Sequence, residues 1–197
     1  MEEPMTHALA TVADERVAEP DDFALVAAAR NRPEAFGKLY ERYLARMYRY
    51  LRTRTADAEE AADLTQAVFE RAFHSLPGYQ PRDTPFAAWL FRIARNAATD
   101  AHRRRRVTVS WDGLPEPLAD IDPRVPEATL LRKEQLSELR ARLASLDERK
   151  RELLALRFAA GLTSAEIAPL VGKSEAAVKK QLTRVIAQLK ESYRDDK

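Results

Sequence analysis

Lys179, Lys180 and Arg184 fall within "SEAAVKKQLTRVIAQLK", and Arg92, Arg95, His102, Arg103 and Arg106 recur along "FAAWLFRIARNAATDAHRRRR". Cations repeated at helical spacing bind phosphates and base edges; they do not make or break bonds. On a helical wheel Val178, Leu182, Val185, Ile186 and Leu189 take one side of the first segment. Lys180, Thr183, Arg184 and Ala187 take the other, with Lys179 on the flank. One face can seat on a core while the other offers cations and small groups to a DNA major groove, which admits an α-helix. In the second segment Phe86, Trp89, Leu90, Ile93 and Ala97 form a core stripe. Arg92, Arg95, Thr99, His102, Arg103 and Arg106 line the opposite face. Both patterns also suit amphipathic helices that merely carry charge in water, and arginines at a helix end complement its dipole. A cationic stripe over four turns exceeds that need, and a phosphate backbone is the economical partner.

Charge is distributed in blocks. The net charge is only +2, but residues 21–106 hold sixteen bases against eleven acids and residues 128–197 hold fifteen against ten. Residues 1–20 and 107–127 are each net −4. Such asymmetry says more about partners than the total does. With no Cys there is no disulfide, thiolate nucleophile or Cys-based zinc site, and His7, His74 and His102 lack ligand spacing. No phosphate-cradling glycine loop appears among the five glycines. No metal, cofactor or small-molecule substrate is expected, and no residues stand out to carry an enzymatic reaction. The acidic start MEEPMTHALATVADER lacks the apolar segment of a secretion signal, and no run approaches the ~20 apolar residues of a membrane span. A cytoplasmic location is expected.

The elements that must position these faces are helices throughout, so the fold class is all-α: two small helical domains joined by an acidic, Pro-containing linker, the second ending in a helix-turn-helix. A short helix begins at Asp22. Pro33 suits the first turn of the next, whose stripe is Phe36, Leu39, Tyr40, Tyr43, Leu44, Met47 and Leu51. A third starts near Asp57 with Glu60 as capping-box partner, striped by Ala61, Leu64, Val68 and Ala72, with Phe69 and Phe73 beside them. After the breaker-rich PGYQPRDTP, Thr84 is a candidate N-cap and Pro85 the N1 residue of a fourth helix ending near Arg105. Further helices are expected over 127–145, 148–159, 164–171 and 175–192. Thr163 with Glu166 forms a capping box, Gly172 suits the left-handed C-terminal position, and Ser174 caps the last helix. Pro169, near the sixth position of 164–171, predicts a short or kinked helix. The domains are therefore a disordered tail 1–20, a helical domain 21–106, a linker 107–127 and a second helical domain 128–197.

The run "DLTQAVFERAF", then "FAAWLFRIARNAATDAHRRRR", a linker, and "LDERKRELLALRFAAGLTSAEIAPLVGKSEAAVKKQLTRVIAQLKE" together resemble a bacterial RNA polymerase sigma factor of the compact extracytoplasmic-function (ECF) group. The likeness covers residues 22–106 and about 128–192. It implies a first domain, sigma region 2, that grips the polymerase clamp through Asp63, Gln66 and Glu70 and engages the −10 element. Arg92, Arg95, Asn96, Thr99, Asp100 and Arg103 match the −10-facing helix. The loop with Tyr79, Gln80, Arg82 and Asp83 matches the element that captures a flipped base; an ordinary polar turn would use the same residues. The second domain, sigma region 4, would read the −35 element through Lys179, Lys180, Gln181 and Arg184. Ala67 stands where the family often has an acid and Gln181 where an Arg is frequent. The resemblance threads the linker, with Asp112, Glu116, Asp120, Asp122 and Glu127, through polymerase channels; a solvated tether fits its composition equally. Twenty residues at ~3.3 Å each reach ~65 Å, or about nineteen base steps. Implied partners are core RNA polymerase, promoter DNA and an anti-sigma protein, with the chain a monomer on the polymerase. Two other readings remain from the residues alone: a dimeric helix-turn-helix regulator, and an all-α interaction protein whose basic faces bind acidic proteins.

Overall fold

The computed structural model describes residues 22–82, 84–108, 138–139 and 141–194. The tail 1–20, Asp83, all of the linker beyond Thr108 and the expected helix residues before 138 lie outside these. Every regular element among the described residues is helical. The first unit holds α1 (Asp22–Asn31), α2 (Phe36–Arg52), α3 (Ala58–Ser75) and α4 (Phe86–Thr108). The second holds helical residues 141–145, α5 (Glu148–Leu154), α6 (Ser164–Val171) and α7 (Glu175–Arg194).

Local chemistry sets the boundaries. Pro33 does not open α2 directly. It starts a 3-10 turn, Pro33–Ala35, that runs into it, because proline suits a first turn but supplies no N–H. The Asp57 side chain accepts from Glu60 N at 2.8 Å, as an N-cap should. The Glu60 carboxylate reaches back to Ala56 N at 3.0 Å, one residue earlier than in a regular capping box. A 3-10 turn, Leu76–Gly78, closes α3. Helix α4 begins at Phe86, and the Pro85 carbonyl accepts from Trp89 N at 3.0 Å.

Burial follows the expected stripes with three shifts. Phe36, Leu39, Tyr43, Met47 and Leu51 are buried, but Tyr40 lies at the surface and Tyr50 is fully enclosed. Val68, Phe69 and Ala72 are buried while Phe73 is 37% exposed. In α4 the burial is wider than a stripe: Phe86 to Phe91 are all buried, as are Ala94, Ala97 and Ala98. Aromatic rings knit the unit edge to face. Tyr50 meets Phe91 at 5.5 Å, Tyr43 meets Phe86 at 5.5 Å, and Phe36 meets Phe73 at 5.2 Å. The Asp22 carboxylate accepts from the Tyr43 hydroxyl and pairs with Arg42 at 2.7 Å, tying α1 to α2. Burial, reinforced by Asp22, pushes the Tyr43 phenol far above its ordinary range, so it stays a donor.

The helix-turn-helix closes as its sequence prescribes. Glu166 N donates to Thr163 Oγ1 at 3.2 Å and Thr163 N donates to Glu166 Oε2 at 2.7 Å, a complete capping box. Gly172 adopts φ 65°, and both it and Lys173 donate to Ala168 O. Ala177 N donates to Ser174 Oγ at 3.3 Å. Pro169 stands exposed inside α6, which is only eight residues long. The expected helix 148–159 is α-helical only to Leu154. Its last turn, Ala155–Ala159, is π-helical, with Ala160 N donating to Ala155 O at 2.9 Å. Such insertions re-aim backbone carbonyls, and here the carbonyls of residues 159–161 turn toward the first unit.

The two units pack together. Helix α6 lies against α4, the π-turn lies against α2, and the buried residues of both units form one continuous apolar cluster.

Two outcomes follow. Thr163→Ala removes half the capping box and lowers stability by about 1 kcal/mol; a denaturant melt reads this, with faster amide exchange in 164–171. Burial pushes Tyr79 from its ordinary 10.0 up to about 12. A phenol whose pKa is raised by folding stabilises the fold below its unfolded value, and that contribution fades as pH climbs from 10 toward 12. Thermal melts of Tyr79→Phe will be lower by a few degrees at neutral pH. Across the pH 10–12 window the variant will lose less stability than the parent.

Candidate nucleic-acid interface

Helix α4 presents one polar strip because the rest of its surface is committed to the core. Arg92, Arg95, Asn96, Thr99, Asp100 and Arg103 are all exposed along it. The Thr99 hydroxyl donates to Arg95 O at 2.8 Å, so its proton is already engaged within the helix. At the N-terminal end of the strip an open cleft of about 180 Å³ is lined by Gly78, Tyr79, Gln80, Thr84, Trp89 and Arg92. The loop residues expected to hold a base divide into two roles. Gln80 and Arg82 are exposed, and Asp83 lies outside the described residues. Tyr79 is 4% exposed, its ring 4.9 Å from Trp89 and 5.8 Å from Phe86, and its hydroxyl donates to Thr84 O at 2.6 Å. It props the loop against α4 and forms the cleft wall; it is not a free stacking platform. Trp89, 8% exposed, contributes to the same wall.

In the second unit α7 divides as its wheel predicts. Val178, Leu182 and Val185 are buried, Ile186 and Leu189 half-buried, and Lys179, Lys180, Thr183, Arg184 and Ala187 exposed. Lys179 pairs with Glu175 at 2.8 Å, an exposed i,i+4 contact worth only a few tenths of a kcal/mol. Gln181 departs from the expected reading set. It is half-buried, and its Oε1 is enclosed without a hydrogen bond. The physical reason is its place on the cylinder, between buried Val185 and exposed Arg184, at the margin where the helix meets its core.

Asp63, Gln66 and Glu70 occupy a third surface. All are exposed on α3, at i, i+3 and i+7, with exposed Ala67 among them. This acidic strip is available to a cationic protein surface.

The sequence reading missed the residues between the units. Arg46 Nε donates to Ala160 O at 2.7 Å and its Nη2 to Gly161 O at 3.1 Å. Arg49 Nε donates to Ala159 O at 3.3 Å. Glu152, 5% exposed, receives the Tyr50 hydroxyl at 2.9 Å and pairs with Arg54. Burial raises the Tyr50 phenol above its ordinary value, so the hydroxyl keeps its proton to donate. Arg95 joins this group: its Nη1 donates to Leu170 O at 2.8 Å and its Nε lies 3.6 Å from Glu152 Oε1. One sequence signal existed, an acid four residues before the buried Leu156, on the apolar face of its helix. Among the described residues no acidic, His or Cys cluster could hold a metal ion, and no helix is long and apolar enough to cross a membrane.

Comparison with known proteins gives this geometry a family. Residues 39–108 match Sigma-70 region 2, and residues 136–189 match Sigma-70 region 4. The ECF RNA polymerase sigma factor BldN of Streptomyces coelicolor is 33% identical over 165 residues, a span covering 83% of this chain and 62% of BldN. The RNA polymerase sigma factor CnrH of Cupriavidus metallidurans is 31% identical over 179 residues, covering 87% of this chain and 93% of CnrH. The solved structure of CnrH in complex with the cytosolic domain of CnrY superposes with a TM-score of 0.64 at 28% identity, covering 89% of this chain and 99% of CnrH. With a region 2 that carries the α4 strip and a region 4 that carries the helix-turn-helix, the chain belongs to the RNA polymerase sigma factors of the ECF group, the promoter-specific initiation factors.

Proposed function

We propose that this chain docks on core RNA polymerase through Asp63, Gln66 and Glu70 of α3, engages the −10 promoter element with α4 and its adjoining cleft, and reads the −35 element with α7. The observation that carries the proposal is the exposed Arg92–Arg103 strip leading into the cleft beside Trp89. Cations along the strip track a strand's phosphates, and a cleft at its end receives an unstacked base. Unstacking costs a few kcal/mol, which such contacts repay without covalent chemistry. No step in this function calls for catalysis by the chain itself, and the place of work is the cytoplasm, where the polymerase is. On α7 the reading set is Lys180 and Arg184 with Lys179 on the phosphates; Gln181 supports the helix from the margin of its buried side. The complex of CnrH with the cytosolic domain of CnrY supports an anti-sigma protein as a further partner of this chain.

In transcription with core polymerase on a mapped promoter, Lys180→Ala with Arg184→Ala will cut output by roughly tenfold or more, since one good base contact is worth about 1–3 kcal/mol. The double variant will also flatten the salt dependence of promoter binding by about one unit of slope for each phosphate contact removed. Unchanged output would overturn the α7 assignment. Asp63→Ala with Glu70→Ala will weaken binding to core polymerase while leaving the melting temperature within a few degrees, because exposed charges contribute little to stability. Binding at the parental level would overturn the α3 assignment.

A further inference from the structure

Helix α7 carries its exposed residues in an ordered arc. Around the cylinder Ala176, Thr183 and Ala187 fall at the centre, Lys179 and Lys190 on one flank, and Lys180, Arg184 and Gln188 on the other; all are exposed. Small side chains at the centre permit close approach, and cations on the flanks meet the backbones that border a groove. The second flank breaks this pattern at its third position. Lys180 and Arg184 are followed, one turn on, by a neutral amide. A cation from another helix stands there instead: Lys150 of α5 donates from Nζ to Gln188 Oε1 at 3.1 Å. Its ammonium therefore sits beside the residue that lies about 6 Å along the axis beyond Arg184.

This bond is not what docks α5 on α7. Leu153 and Leu154 of α5 and Val178, Leu182 and Val185 of α7 are buried in one apolar cluster, to which an exposed polar bond adds little. Nor is the ammonium committed to a strong ion pair. Its contact with Asp147 Oδ2 is 3.4 Å, between side chains 38% and 56% exposed, and water and salt largely cancel attraction of that kind. Asp147 has a separate task as the N-cap of α5, accepting from Lys150 N at 2.9 Å. It keeps that task wherever the lysine side chain points.

We infer that Lys150 is a further phosphate-binding residue of the −35 interface, lying outside the helix-turn-helix and positioned by Gln188 to continue the row of Lys180 and Arg184. The inference rests on the reading of α7 as the −35 helix. A lysine is a point charge on a flexible stem, so it adds affinity and register and not base preference. A phosphate replaces Asp147 as the partner of the ammonium, and the Asp147 carboxylate, left beside the same strand, opposes binding.

The test uses the full chain assembled with core polymerase, a duplex promoter whose start site has been mapped, and the same duplex with its −35 bases substituted. Lys150→Gln should lower affinity roughly threefold to tenfold on both duplexes, leave their ratio unchanged, and reduce the slope of log affinity against log salt by about one. Asp147→Asn keeps a capping side chain and removes the charge, so it should tighten binding to both duplexes. Gln188→Ala keeps the ammonium without its seat, so affinity should fall while the slope stays at the parent's value. Thermal melts identify any variant that fails to fold, and Asp147→Asn carries the test if Lys150→Gln does. A parental slope in Lys150→Gln, while Lys180→Ala with Arg184→Ala still flattens it, would overturn the inference. So would an effect of Lys150→Gln confined to one −35 sequence, or binding by Asp147→Asn no tighter than the parent's. Parental affinity in Gln188→Ala would overturn the positioning role of that amide. If the Lys180 and Arg184 double variant also kept the parental slope, the reading of α7 would fall instead, a separate failure.

Discussion

Helix α4 must bury most of its circumference and still present a continuous polar strip, and this constraint organises region 2. Its first six residues are all buried, and Ala94, Ala97 and Ala98 continue the contact. The small residues let α4 lie close against its neighbours, while Phe86, Trp89 and Phe91 fill the gaps between helices. What remains is a narrow ridge that carries Arg92, Asn96, Thr99 and Arg103 outward, while the partly exposed Arg95 also reaches Leu170 O and Glu152 of the second unit. The same packing draws in Tyr79, whose hydroxyl bond to Thr84 O shapes the loop and with it the cleft. A binding surface thus arises as the complement of a core.

The contact between the units obeys different physics. Within each unit apolar burial dominates, which is strong and insensitive to direction. Across the seam the shared apolar cluster is joined by arginine forks that meet carbonyls at the end of the π-turn, and by three side chains that share one carboxylate. These bonds are directional and nearly balanced against hydration.

Helix positions, caps and the outward faces of α4 and α7 were legible in the residue order. Periodicity of 3.6 places cations opposite apolar residues, and Thr163, Gly172 and Ser174 cap by local bonding alone. Legibility ended where neighbours decide. Tyr79 and Gln181 are polar residues at plausible reading positions, yet one is a cleft wall and the other half-buried. Tyr40 and Phe73 belong to apolar stripes but sit at their margins, where no helix covers them fully. The π-turn was invisible because its extra residue registers in backbone bonding and not in composition.

By itself, then, the sequence determined an all-α chain with two separate cationic helix faces, because amphipathic spacing and capping act over a few residues. Only the tertiary structure decided that Glu152, Tyr50, Arg54 and Arg95 meet, since partners 57 to 102 positions from Glu152 in sequence share no local pattern. Their meeting depends on how two cores dock, and docking is a property of whole surfaces rather than of any segment.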